Sequence, residues 1–205
     1  MYNRHVAPRL VHHICSSAPI TEQRKRVVSQ ASGTVLEIGI GSGLNLPHYD
    51  GQAVERVIGV EPDLSMLKLG RERVAAAPFA VEVIEGSADA MPLDDSSADC
   101  AVITYTLCTV ADPAAVLSEL RRVLKPEGRL LLCEHGAASG SAARTTQHAV
   151  NGLWRRLMLG CNLNRDPIGL IEQSGFEFVD HERFVLSPLP AVIGSHYVGQ
   201  ARKAA

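Results

Sequence analysis

The fold of this chain is decided by the stretch Val35-Leu36-Glu37-Ile38-Gly39-Ile40-Gly41-Ser42-Gly43. Its apolar first half is typical of a short parallel strand that is buried on both faces. Glycine at every second position then lets the backbone bend sharply and approach a ligand where a Cβ atom would collide. A second apolar run, residues 57–60, ends at Glu61. An acid there, about 20 residues past a glycine turn, is placed to bind two ribose hydroxyls. The sequence therefore predicts a nucleoside-containing cofactor at the carboxyl edge of a parallel sheet.

The glycine pattern also bears on which cofactor this is. Dinucleotide folds use G-x-G-x-x-G/A, whose third small residue lets a helix pack closely and meet a pyrophosphate. Here that third position is Leu44, and Glu37 precedes the turn by two residues. A carboxylate beside the turn repels a pyrophosphate but suits a cationic amino group. On these residues the chain resembles the class I S-adenosylmethionine-dependent methyltransferases, whose first motif is E/D-x-G-x-G-x-G.

Two further stretches support the same resemblance. Residues 85–93 follow a third apolar run and are similar to the family's adenine-side loop, G-D-A-x-x-L-P-F, with Ser87 in place of the usual acid. Residues 124–132 match the family's L-K-P-G-G-x-L-L turn into the fifth strand. The matches run in the family's order from about Thr34 to Glu134. Within the family, the pattern resembles that of the type 11 methyltransferases, which are similar to the ubiquinone and menaquinone methyltransferases.

A narrower resemblance rests on two short stretches. Glu134-His135 and residues 160–165, Gly-Cys-Asn-Leu-Asn-Arg, resemble the thiol methyltransferases of the methyltransferase-like type. That group includes membrane-anchored members. Residues 1–5 show no apolar signal-peptide core, and no run reaches the ~18 apolar residues of a membrane span. We therefore expect a soluble form without a transmembrane segment, located in the cytoplasm.

Composition narrows the possible partners and metals. The 205 residues carry a net charge of −2 and are 46% hydrophobic, which fits an ordinary globular chain without a basic stripe for nucleic acid. The five cysteines are an odd number at scattered positions, so they predict free thiols and no disulfide framework. The spacing of Cys133, His135, His148 and Cys161 fits no zinc pattern, so we expect no metal.

The order of apolar segments predicts an α/β fold. Strand-like and helix-like runs alternate from about residue 34 to 134, which is typical of a doubly wound, Rossmann-like sheet. By resemblance the sheet has seven strands, mostly parallel with an antiparallel last strand. We expect one domain over residues 1–205, in which 1–33 form a helical cap, 34–134 bind the cofactor, and 135–205 supply the acceptor side and the closing strands.

The resemblance assigns residues to the cofactor, S-adenosylmethionine, and its product, S-adenosylhomocysteine. Glu37 would bind the methionine ammonium and Glu61 the ribose hydroxyls. Asp89 is an alternative to Ser87 as the polar contact at the adenine. The full set of predicted cofactor-binding residues is Glu37, Gly39, Gly41, Gly43, Glu61, Pro62, Met66, Ser87, Ala88 and Thr104.

The acceptor side is predicted less sharply. Residues 104–107 lack the N/D-P-P-Y motif of enzymes that methylate base amines or glutamine amides. Tyr105 either lines the acceptor pocket or packs beneath a helix. His135, at the end of the fifth strand, is suited to act as a general base near neutral pH if the acceptor must lose a proton. Tyr105 and His135 are the predicted catalytic residues.

These observations favour an enzyme that methylates a small, apolar molecule. The pocket for the acceptor would come from residues 1–20, 104–112 and 135–165. A thiol and a quinone-like ring carbon are the leading acceptors, followed by a lipid amine. A non-catalytic cofactor-binding module is an alternative, and a nucleotide-dependent oxidoreductase is disfavoured by Leu44 and Glu37. The sequence leaves the oligomeric state open.

Overall fold

The computed structural model describes residues 6–204 of the chain. The strands are β1 (Gly33–Ile38), β2 (Val54–Glu61), β3 (Ala80–Glu85), β4 (Ala98–Thr104), β5 (Leu124–His135), β6 (Phe176–Val185) and β7 (Ser195–Lys203). The helices are α1 (Ala7–Cys15), α2 (Ala18–Val28), α3 (Leu64–Ala76), α4 (Pro113–Val123), α5 (Ser141–Leu157), α6 (Pro167–Gln173) and α7 (Ala191–Gly194). Helices α1 and α2 lie within the segment predicted to form a helical cap, and residues 1–5 of that segment lie outside the described residues.

The seven strands form one sheet in the order β3-β2-β1-β4-β5-β7-β6. Strands β1 to β5 pair in parallel, and β7 runs antiparallel to both of its neighbours, β5 and β6. This confirms the predicted doubly wound sheet with an antiparallel last strand. The strand order reverses between β1 and β4, and such a reversal opens a crevice at the carboxyl ends of the strands.

Each face of the sheet is covered by its own apolar cluster. Successive side chains of a strand point to opposite faces. In β1, Leu36 accordingly joins the cluster that includes Leu117 of α4, whereas Val35 joins the cluster that includes Val27 of α2. Both β1 side chains are 0% exposed, so this strand is buried on both faces as its sequence predicts.

The first crossover lacks the α-helix that usually joins parallel strands. Between β1 and β2 the chain forms turns and a short 3₁₀ helix, Leu46–His48. The N-terminal helix α2 packs against this 3₁₀ helix and against β5 and β7. An N-terminal segment therefore covers part of the face that a crossover helix would otherwise cover. Along residues 6–204, none of the helices combines the length and apolarity needed to cross a membrane.

Candidate active site

A cavity of about 650 Å³ opens at the carboxyl edge of the sheet, beside the ends of β1 and β4. We call its two walls the glycine side and the histidine side. The glycine side is lined by residues that include Glu37, Gly39, Gly41, Glu61, Met66 and Ala88. The histidine side is lined by residues that include Ile14, Cys108, His135, Trp154, Cys161 and His196.

The turn after β1 needs glycine for two reasons. Gly41 has a φ of +54°, in the left-handed region that residues with a Cβ atom rarely adopt. A Cβ atom on Gly41 would also lie 3.4 Å from Met66 Cε and 3.7 Å from Glu61 Oε2. The absence of a side chain therefore keeps the space between Met66 and Glu61 open to a ligand.

Glu61, at the end of β2, holds the glycine turn and faces the cavity. Its Oε2 atom accepts a hydrogen bond from the Gly41 N–H at 3.0 Å, and its Oε1 atom accepts one from the Asp63 N–H at 2.9 Å. Burial raises the pKa of this carboxyl against the effect of those two donors. The carboxylate oxygens keep lone pairs for a ligand with hydroxyl groups, because each oxygen accepts more than one hydrogen bond.

Glu37 is the more deeply buried acid, at 1% exposure. Its Oε1 atom accepts from Asn45 Nδ2 at 2.9 Å, and its Oε2 atom accepts from the Tyr49 hydroxyl at 2.7 Å. Burial raises the pKa of Glu37 to about 7, although both hydrogen bonds and the nearby Arg24 favour the charged form. Glu37 is therefore an acid that a cationic ligand can ionise near neutral pH.

Arg24 of α2 completes this polar network. Its Nη1 atom donates to Asn45 Oδ1 at 3.0 Å and to Thr104 Oγ1 at 2.7 Å, and its guanidinium lies 4.9 Å from the Tyr105 ring centroid. Arg24 is 5% exposed although it lies on the N-terminal cap. Sequence reasoning missed Arg24, because a charged residue on an amphipathic helix is usually exposed to solvent.

The other predicted cofactor-binding residues also lie around the glycine side. Pro62, Met66, Ser87, Ala88 and Thr104 line the cavity together with Asp89. Gly43 is buried within the turn itself, with a φ of +69°. Ala88 is buried, whereas Ser87 and Asp89 are exposed at the cavity rim. The structure thus brings the predicted set together, while the role of each residue remains a prediction.

On the histidine side, Glu134 fixes the loop that follows β4. Its Oε1 atom accepts hydrogen bonds from the N–H groups of Thr106, at 2.6 Å, and Leu107, at 2.9 Å. Burial raises the pKa of Glu134 to about 8. Its Oε2 atom is buried and has no hydrogen-bond partner among residues 6–204.

Tyr105 begins the same loop with a strained backbone, at a φ of +54°. Its hydroxyl oxygen accepts a hydrogen bond from Cys133 Sγ at 3.3 Å. Burial raises the pKa of Tyr105 well above its ordinary value, so the phenol is neutral. The structure places Tyr105 in the cavity wall, and its catalytic role remains a prediction.

His135, Cys161 and Cys108 meet on the histidine side. His135 Nε2 lies 3.0 Å from Cys161 Sγ, and Trp154 Nε1 donates to the same sulfur at 3.1 Å. The neighbouring Cys161 thiol and the His135 imidazole hold the pKa of the Cys108 thiol well below its ordinary range despite burial. His135 therefore contacts a cysteine, and its predicted role as a general base remains a prediction.

His196 on β7 is a second histidine on the histidine side of the cavity, and sequence reasoning missed it. Its Nδ1 atom lies 2.7 Å from the Gly194 carbonyl oxygen, which only accepts, so Nδ1 carries the hydrogen. The Nε2 atom is buried and unpartnered within the described part of the chain. Burial lowers the pKa of His196, so this nitrogen is a free acceptor. The cavity thus extends to residues 189–196, beyond the ranges predicted for the acceptor.

The geometry can be compared with known proteins. Residues 36–132 match the family model described as a methyltransferase domain. Thiol S-methyltransferase TMT1B from Homo sapiens is 34% identical over 181 residues, which cover 84% of this chain and 72% of that protein. Demethylmenaquinone methyltransferase from Paenarthrobacter aurescens is 31% identical over 158 residues, covering 74% of this chain and 56% of that protein.

Solved structures share the architecture. The crystal structure of a SAM-dependent methyltransferase from Thermotoga maritima, described as a possible histamine N-methyltransferase, superimposes with a TM-score of 0.69. The two chains are 23% identical, and the match covers 99% of this chain and 100% of the other. At that identity the likeness concerns the fold alone.

Proposed function

The chain belongs to the class I S-adenosylmethionine-dependent methyltransferases, and we propose that it methylates the sulfur of small, apolar thiols. The observation that carries this proposal is the character of the histidine side. Its walls are apolar, with Ile14, Ile20 and Ile193 among the lining residues, and its polar groups include soft thiols and imidazoles. A small, apolar thiol matches both properties, because its carbon skeleton suits the apolar walls and its sulfur suits the soft polar groups. The human relative named as a thiol S-methyltransferase supports the same acceptor class.

The residues on the glycine side fit the cofactor. The space that Gly41 keeps open lies between the Met66 thioether and the Glu61 carboxylate, as a nucleoside requires. Glu61 would hold the ribose hydroxyls, and Glu37 would stabilise the ammonium, directly or through Asn45. Two carboxylates facing one cavity suit a cation that carries no phosphate. When bound, the cofactor supplies an electrophilic methyl group on a sulfonium.

The histidine side must orient the acceptor and allow its thiol to ionise. A free thiol has a pKa of about 8.5, so ionising it at pH 7 costs about 2 kcal/mol. His196 Nε2, whose tautomer is fixed by Gly194, would accept the hydrogen bond of the thiol. The apolar wall excludes water and holds sulfur and methyl donor in line, and such positioning supplies on the order of 7–11 kcal/mol in favourable cases.

A quinone-precursor ring carbon is the second candidate acceptor. The Tyr105 and His135 rings stack with centroids 6.5 Å apart and an interplanar angle of 22°, and His196 meets the Tyr105 ring edge-on at 5.7 Å. Such a ring-lined wall can hold a planar substrate. The relative named as a demethylmenaquinone methyltransferase supports this alternative, which ranks second because of the soft thiol and imidazole groups on the same wall.

An acceptor panel tests the proposal. The purified protein is incubated with S-adenosylmethionine and either phenylmethanethiol, a quinol or a lipid amine, and S-adenosylhomocysteine is quantified. We expect turnover with the thiol to exceed turnover with the other acceptors by at least tenfold. His196→Phe keeps the aromatic contact but removes Nε2, so it should slow the thiol reaction and leave cofactor affinity unchanged. Turnover with the quinol alone would replace the thiol assignment by ring methylation.

A further inference from the structure

Three potential metal ligands converge on the histidine side of the cavity. The ligand atoms of Cys108, His135 and Cys161 all lie within 4.8 Å of one another. Both cysteines are buried, at 3% and 8% exposure, and all three residues line the cavity. The sequence spacing conceals this cluster, because the residues lie on three different segments. The structure therefore places His135 and Cys161 with Cys108, and not with Cys133 and His148, the partners for which the sequence analysis found no zinc pattern.

The fold fixes the distance between the two cysteines. The backbone N–H and the side-chain Nδ2 of Asn162 both donate to the Cys108 carbonyl oxygen, at 2.8 Å and 2.9 Å. The residue next to Cys161 is thereby tied to Cys108 itself. Glu134, adjacent to His135, anchors the loop that carries Cys108 through Thr106 and Leu107. The cluster is thus held by hydrogen bonds that do not involve its own ligand atoms.

Each sulfur also has a polar side chain outside the cluster beside it. The indole N–H of Trp154 points at Cys161 Sγ at 3.1 Å, and Thr109 Oγ1 lies 3.4 Å from Cys108 Sγ. An indole nitrogen only donates, so Cys161 Sγ must be the acceptor in that contact. Such outer partners orient the ligands of metal sites and tune their basicity.

We propose that Cys108, His135 and Cys161 bind one zinc ion and that its remaining position takes the sulfur of the acceptor thiol. Two thiolates and one imidazole are a donor set that selects zinc, and three protein ligands with one position left are the pattern of catalytic zinc sites. Zinc bond lengths require the ligand atoms to be about 3.5–3.8 Å apart in a tetrahedral site. The observed cluster needs only a small side-chain adjustment to reach that spacing.

The role of the zinc rests on the proposed thiol methylation. When the acceptor binds, its sulfur forms a bond to zinc and its S–H bond breaks. The proton passes to His196 Nε2 and from there to solvent, since metal ligation by a thiol releases its proton. The bound sulfur then attacks the methyl carbon, so that one S–C bond forms while the sulfonium S–C bond of the donor breaks. The neutral thioether is a poorer ligand and leaves. In this arrangement His135 is a ligand, and its Nε2 lone pair no longer serves as a base.

Metal content tests the site independently of activity. The reduced wild-type protein, purified without a metal-affinity tag and supplied with zinc, should hold about one zinc per chain by elemental analysis. Cys108→Ser and Cys161→Ser should each lose most of it. Cys15→Ser should keep it, because Cys15 also lines the cavity but lies outside the cluster. Thermal unfolding of each variant shows whether the zinc was lost through misfolding.

Cobalt substitution tests the open position. The cobalt-loaded wild-type protein should show sulfur-to-cobalt charge-transfer absorption, and phenylmethanethiol should change its ligand-field bands. A wild-type chain that takes up no zinc, or one in which Cys108 and Cys161 form a disulfide, overturns the site even if thiols are methylated. Unchanged bands, in a protein that methylates the same thiol, overturn ligation of the acceptor. Zinc bound without methylation of any thiol overturns the proposed function and leaves the site standing.

Discussion

At the scale of single residues, Glu61 offers the sharpest test of the cofactor site. We expect Glu61→Ala to weaken S-adenosylmethionine binding at least tenfold, because a charge-assisted hydrogen bond to each ribose hydroxyl is worth about 1.5–3 kcal/mol. Isothermal titration calorimetry measures the change. Glu85→Ala is the matched control, since Glu85 lies opposite Glu61 at the end of β3 but is exposed and is not among the residues that line the cavity. If both variants lost the same amount of affinity for S-adenosylmethionine, the assignment of Glu61 to the ribose would be wrong.

Glu37 predicts how cofactor binding depends on pH. Burial raises its pKa to about 7, so below that pH the carboxyl is protonated and cannot offset an ammonium. Affinity for the cofactor should therefore rise from pH 6 to pH 7.5, by at most about tenfold per pH unit. Above about pH 8 the amino group of the ligand loses its own charge and the rise should stop. Glu37→Gln should flatten the profile, and an unchanged slope in that variant would assign the pH dependence to another group.

The same shift has the opposite effect on the cofactor-free fold. Because the pKa of Glu37 is higher in the folded state than its ordinary value of 4.5, the folded protein holds the proton more tightly than the unfolded chain does. Glu37 therefore costs stability as the pH rises from about 4.5 to about 7. A cationic ligand offsets that cost by giving the carboxylate a partner, which links cofactor binding to the stability of the fold.

Sequence reasoning found the residues that lie in short motifs and missed those that tertiary contacts select. Glu37, Gly41 and Glu61 sit at fixed spacings around a turn, so their convergence follows from the geometry of a parallel sheet. Arg24 and His196 approach the cavity from the two ends of the chain. Both are recognised only in the folded chain, Arg24 by the burial of its charge and His196 by a buried nitrogen that has no partner among residues 6–204.

At the scale of elements, the substitution Gly41→Ala, which adds one methyl group, tests whether the glycine turn binds the cofactor. Gly41→Ala would force a Cβ atom into the left-handed region, at a cost of about 1–2 kcal/mol, and would narrow the space beside Met66 and Glu61. We expect weaker cofactor binding and a lower melting temperature. Gly152→Ala is the control: Gly152 lies in α5 with nothing within 4 Å of a Cβ atom, so alanine should stabilise by about 0.5–1 kcal/mol. If Gly41→Ala bound the cofactor as tightly as the wild type, the glycine turn would not be part of the cofactor-binding site.

The strands could be predicted more completely than the helices. Apolar runs identified β1 to β5. Strands such as β1 and β4 are buried on both faces and have few alternatives in sequence, whereas the edge strand β3 carries only exposed and half-buried residues. The missing crossover helix between β1 and β2 could not be predicted, since its place is taken partly by α2, far away in sequence. The apolar side chains of α5 differ widely in their exposure. Leu153 and Leu157 are 65% and 44% exposed, whereas Trp154 is half-buried and lines the cavity.

At the scale of the whole molecule, the cavity joins segments from both ends of the chain. Helix α1 contributes Ile14 and His12, and His12 Nδ1 forms a 2.7 Å hydrogen bond with Ser42 Oγ in the glycine turn. Residues 189–196 close the opposite wall. A ligand that spans the cavity therefore contacts the cap, the sheet edge and the closing segments together. Because these segments lie far apart in sequence, the motifs alone could not predict how far the cavity extends.

A ligand that bridges so many segments should stabilise the entire fold. At about 100 times its dissociation constant, S-adenosylmethionine or S-adenosylhomocysteine should add about 2.7 kcal/mol, which corresponds to a rise in melting temperature of roughly 5–10 °C for a chain of this size. NADH at the same concentration should have little effect, because its pyrophosphate would face Glu37 and Glu61. Differential scanning calorimetry distinguishes the two ligands. A comparable rise with NADH would show that the two carboxylates do not select against a pyrophosphate, and the electrostatic basis of cofactor choice would have to be abandoned.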